Sequence, residues 1–190
     1  MSEGRFTEAL AELREGDNLD PLSPGATVAR ALYMARKYDE SIAECEKWLR
    51  VHPEQSMVHL MMGLALEARG DYGKAQQEYE VFNSKVPGTR LYQYALAHLY
   101  ARTGSHGPDE RGAADDRGPG AEPPAGKEKP SAFDLAIDYG YLGDKDRAFS
   151  WLDRAFDSGD VGLIKVEPLL DPLRGDPRYR ALLKKAGLAD

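Results

Sequence analysis

SMVHLMMGLALEARGDYGKAQQEYEVFNSKVPGT, residues 56–89, decides the fold. Two helical patterns meet in it. The first runs through MVHLMMGLALEARG and the second through YGKAQQEYEVFNSKV. Gly63 lies where the two helices of a hairpin approach most closely, because a side chain there would push their axes apart. Gly70 ends the first helix, and Asp71 stands where it can cap the second. Ala75, Tyr79 and Phe82 then form a stripe at helical spacing, and Pro87 stops the helix. The stretch therefore reads as one helix-turn-helix unit.

Residue types recur 34 positions apart on either side of it: Leu32 and Leu66, Tyr38 and Tyr72, Trp48 and Phe82, Pro53 and Pro87, Gly70 and Gly104. A fixed period of that length marks an array of stacked helical units. With a small residue at the eighth position, Ala at the twentieth, an aromatic at the twenty-fourth and Pro at the thirty-second, residues 56–89 resemble the tetratricopeptide repeat. In the preceding unit, KYDESIAECEKWLRVHP puts Tyr38, Ser41, Cys45, Trp48 and Pro53 in the matching places. The resemblance implies an all-α fold, a right-handed α-solenoid of antiparallel helix pairs with a C-terminal capping helix. It divides the chain into a half repeat at 1–21, repeats at 22–55 and 56–89, and the first helix of a third at 90–104.

Residues 105–130 break the pattern. They are rich in Gly, Pro and charge and nearly devoid of large apolar side chains, so they cannot bury enough surface to offset ordering entropy and read as a flexible linker. The helix-pair pattern resumes at 131–160 with FDLAIDYGYLGDKDRAFSWLDRAFDSG. In the tail, 161–190, each of the two Asp-Pro steps, Asp171–Pro172 and Asp176–Pro177, pairs a capping carboxylate with a proline suited to a first helical turn. Tyr179, Leu182 and Leu183 share a face there, Lys184 and Lys185 complement the dipole of a last turn, and Gly187 is placed to end the helix. The region from Phe133 onward also resembles the carboxy-terminal tetratricopeptide regions that follow bacterial signalling domains. That likeness implies an alternative role, as a regulatory or sensor subunit controlling a separate signalling enzyme or transcription regulator.

Composition narrows the function. The chain is 42% hydrophobic and 30% charged, which suits a core with a soluble surface, and its net charge of -7 disfavours nucleic acid and anionic lipid. No apolar run reaches the length of a membrane span. The lone Cys45 calls for no oxidising compartment and packs as a small hydrophobe, so the cytoplasm is the expected location. His52, His59, His98 and His106 have no second His or Cys at helical ligand spacing, so no metal site, cofactor or catalytic residue is expected. Acidic pairs such as Asp39 with Glu40 and Asp144 with Asp146 read as solvated faces.

What remains is a binding surface. In a tetratricopeptide stack the first helices line a concave groove. Carried position by position, the resemblance puts Ala26, Arg30, Tyr33 and Met34 there, followed by Met57, Leu60, Leu64 and Glu67. Tyr94, His98 and Arg102 come next, and Phe133, Ile137 and Tyr141 complete it. Tyr and Met supply contact area and adaptability, and Arg30 and Arg102 can fix a carboxylate or a carbonyl. The expected role is a non-catalytic adaptor taking an apolar peptide or amphipathic helix from another protein. A second copy of the chain, or its own linker or tail, would cover the same face.

Overall fold

The computed structural model describes residues 8–13, 15, 26–103, 131–160 and 163–188. Among them every regular element is helical, as the sequence predicts. The elements are α1 (Ala26–Met34), α2 (Tyr38–Leu49), α3 (Ser56–Arg69), α4 (Tyr72–Lys85), α5 (Arg90–Thr103), α6 (Ala132–Tyr141) and α7 (Lys145–Asp157). A 3-10 helix (Pro168–Leu173) and α8 (Pro177–Lys185) follow. Contacts divide the chain into two units, Met1–Leu99 and Tyr100–Asp190. The expected linker at 105–130 lies outside the described residues.

In the first unit α1 packs on α2, α2 on α3, and α3 on α4, while α1 also reaches α3. The α3/α4 hairpin depends on Gly63. A Cβ there would stand 2.3 Å from Tyr79 Cε1, so only a hydrogen lets the two helices close. The hairpin turn is a left-handed cap: Gly70 has φ 97°, its N–H donates to Glu67 O at 3.0 Å, and Asp71 N–H donates to Leu66 O at 2.9 Å. One period earlier the same turn is built on a non-glycine. Arg36 has φ 60°, its N–H donates to Tyr33 O at 2.9 Å, and Lys37 N–H donates to Leu32 O at 2.9 Å. Leu32 and Leu66, matched by period in the sequence, are thus matched acceptors in two copies of one turn.

Asp71 corrects the sequence reading. It occupies the N-cap position of α4, but its side chain accepts no capping hydrogen bond. The Arg69 guanidinium takes the carboxylate instead, with Nε at 3.1 Å, and its Nη1 donates to Asp39 Oδ1 at 2.8 Å on α2. A charged fork two residues away competes better for a carboxylate than one backbone N–H does.

The core of this unit is formed by Tyr33, Ile42, Cys45, Val58, Leu66, Ala75, Tyr79, Phe82 and Leu99. Ser41, fully buried, satisfies its hydroxyl by donating to Ala29 O at 2.7 Å, which ties α2 to α1. Leu10, from the expected half repeat, packs with Val28 and Leu32 of α1.

In the second unit α6 packs on α7 and on the 3-10 helix. Ser131 caps α6 by accepting from Asp134 N–H at 3.1 Å, and Asp144 caps α7 by accepting from Arg147 N–H at 3.1 Å. Of the two Asp-Pro steps, only the second starts an α-helix. Asp176 accepts from Arg178 N–H at 3.0 Å with Pro177 in the first turn. Asp171–Pro172 sits inside the 3-10 helix, whose cap is Glu167, accepting from Leu169 N–H at 3.1 Å. Leu170 and Leu173, three apart, are both buried, and three residues per turn is the winding that puts both inward.

Helix α8 buries Tyr179 and Leu182 and is held to α7 at both ends. Near its start, Arg178 lies 4.3 Å from the Phe149 ring centroid and donates to Asp146 at 2.7 Å. At its end, Lys185 lies 4.1 Å from the Phe156 ring, beyond any role at the helix dipole. First turn meets first turn and last meets last, so α8 runs parallel to α7. None of the described helices is long and apolar enough to cross a membrane.

Candidate functional site

The open face of the first helices is set by helical geometry. On α3, Leu64 lies about 20° around the axis from Met57, whereas Leu60 and Glu67 are rotated by about 60–80° toward α4. Burial follows these angles. Met57 is 37% exposed and Leu64 half-buried, but Leu60 and Glu67 are buried. Glu67 is spoken for within the hairpin, its carboxylate accepting from Tyr79 Oη at 2.8 Å. The carboxylate expected to face a groove is therefore tied to α4.

The other expected groove residues sort in the same way. Arg30 on α1 is exposed, and Ala26 and Met34 are half-buried. Tyr33 is buried, its ring centroid 5.8 Å from that of Tyr38 on α2. On α5, Tyr94 is half-buried and His98 buried. Arg102, Phe133, Ile137 and Tyr141 belong to the second unit, where Ile137 is buried and the other three are half-buried. The sequence reading missed Leu91, which is 47% exposed at the first turn of α5. The signal for it was present, since Leu91 stands one period after Met57.

Compared with protein-family models, with curated proteins and with solved structures, the chain matches none. The local chemistry remains. Cys45 is fully buried, and burial first, then the Glu44 and Glu78 carboxylates, pushes its thiol up to about 12. A thiol held protonated in a core is a packing group and not a nucleophile. His59 Nδ1 lies 2.7 Å from Glu78 Oε2, which joins α3 to α4, and His52 stacks on Trp48 with ring centroids 5.0 Å apart. His106 lies outside the described residues. Among the described residues no three His, Cys, Asp or Glu side chains converge as a metal site would require. The large apolar side chains exposed in the first unit are Val51, Met57, Val81 and Leu91; of these, Met57 and Leu91 lie on the first turns of α3 and α5, and Leu64 and Met34 on the first helices are half-buried.

Proposed function

We propose that the chain is a tetratricopeptide-like helical stack, a right-handed α-solenoid, acting as a non-catalytic adaptor. Its working surface is the first-helix face of the first unit, which takes an apolar peptide or amphipathic helix from another protein. The observation that carries this reading is the pair Met57 and Leu91, large apolar side chains left exposed one period apart on the first turns of α3 and α5. Two points support the stack. Helix α1 touches both its own partner α2 and the next first helix α3, and the left-handed turns at Arg36 and Gly70 repeat at the same period. Covering a large apolar side chain contributes up to about 1.5–3 kcal/mol, so a few such contacts suffice for a specific, reversible complex.

The paired substitution Leu64→Glu with Tyr94→Ala tests the role. Both residues are half-buried, so far-ultraviolet circular dichroism should keep its helical amplitude while capture of the partner is lost. Unchanged capture by the double variant would sink the proposal.

A further inference from the structure

Charge is segregated between the two sets of helices in the first repeats. In the first unit, α1 and α3 carry Arg30 and Arg69 against a single carboxylate, Glu67, and Arg69 is already paired with Asp39 and Asp71. The second helices α2 and α4 carry Asp39, Glu40, Glu44, Glu46, Glu78 and Glu80 against Lys47, Lys74 and Lys85. Glu67 is buried and bound by Tyr79, so it presents no exposed carboxylate on the open face. Arg30 is exposed and makes no ion pair among the described residues. It stands one period before Leu64, on a helix that packs directly on α3. In a chain of net charge -7, this face shows apolar side chains and a cation with no exposed carboxylate on its own helices.

We infer that the ligand of this face is an acidic amphipathic segment, its apolar side chains meeting Met57, Leu64 and Leu91 and a flanking Asp or Glu meeting Arg30. This rests on the binding role proposed above and adds its sign. A carboxylate flanking an apolar patch gains from a guanidinium with no ion-pair partner among the described residues, whereas a lysine at that place would be repelled. The whole-chain charge works in the opposite direction and draws basic peptides, so a preference for acid can arise only from a local field.

The test uses two designed helical peptides with one leucine stripe in common, one flanked by glutamates and the other by lysines. Each is titrated against the full chain by fluorescence anisotropy at about 0.1 M salt, where the field of distant charges is largely screened. The acidic peptide is expected to bind at least about ten-fold tighter, a difference of ~1.4 kcal/mol. Arg30→Glu should erase or reverse that preference, and Met57→Glu should weaken the acidic peptide. Equal or tighter binding of the lysine peptide, with Met57→Glu still harmful, overturns the inference and leaves the binding role standing. If neither peptide binds, or Met57→Glu changes nothing, the binding role falls as well. Sedimentation showing a dimer that Met57→Glu dissociates would make a second copy the occupant and overturn the acidic ligand.

Discussion

Gly63→Ala is the sharpest test of how the first unit is held together. Taken as a helix-interior substitution alone it should help, because Ala is better than Gly by about 1 kcal/mol. The structure predicts the reverse. The new methyl would overlap Tyr79, whose ring stands 2.3 Å from the ideal Cβ position, and Tyr79 is fully buried. Overpacking of this kind costs about 1–3 kcal/mol. If the ring shifts, its hydroxyl also leaves the buried Glu67 carboxylate, and a hydrogen bond to a charged group is worth about 1.5–3 kcal/mol. Set against the gain in propensity, the expected net loss is about 1.5–5 kcal/mol with the hydrogen bond broken.

Gly73→Ala is the matched control. It lies in α4, where an added Cβ meets nothing within 4 Å, so it should stabilise by about 0.5–1 kcal/mol. Urea titrations followed by Trp48 fluorescence, in a Trp151→Phe background, would report the first unit alone. In a Tyr79→Ala background the penalty of Gly63→Ala should shrink toward zero. The reasoning is refuted if Gly63→Ala is as harmless as Gly73→Ala, or if its cost survives removal of the Tyr79 ring.

Other expectations concern single sites. Arg36→Gly should stabilise the first unit by about 0.5–1 kcal/mol, since a left-handed backbone strains a side-chain-bearing residue, and a rise in the urea midpoint would register it. Cys45 should ignore a thiol reagent at neutral pH and react only at the rate of unfolding; fast labelling of the native chain would contradict its burial. In the second unit, hydrogen bonds from Arg178 hold the Asp176 carboxyl down at about 2, below its ordinary 3.8. A folded value below the unfolded one contributes stability that is present above 3.8 and lost as the pH falls toward 2. Arg178→Ala should therefore move the acid unfolding midpoint of that unit, followed by Trp151, to higher pH.

How much was legible in the sequence depended on the scale of the feature. The hairpin at 56–89 announced itself because Gly63, Gly70, Tyr79 and Pro87 each answer a local steric demand at a fixed spacing. Local chemistry was less visible where two partners compete: Asp71 has the right place to cap α4, but Arg69 takes its carboxylate. Asp171 has the right neighbour to start a helix, but Glu167 starts one earlier, where Leu170 and Leu173 can both turn inward. The candidate face was legible to within about a third of a turn. Met57 and Arg30 do point to water, whereas Leu60 and Glu67, on the same side of α3 by position, are rotated enough to be claimed by the core and by Tyr79. Such a rotation depends on where α4 packs, and no spacing within α3 records it. Leu91 was overlooked although the period pointed to it.

Photo-crosslinking from the open face tests the central claim most directly. A benzophenone side chain placed at Met57, and separately at Leu91, is compared in the native host with the same group at Gln77, an exposed residue of α4. The account predicts that both first-helix sites form an adduct with one and the same partner protein, through an apolar segment identified by mass spectrometry, and that Gln77 forms none. Adducts from Gln77 alone, or none from either first-helix site, would contradict it.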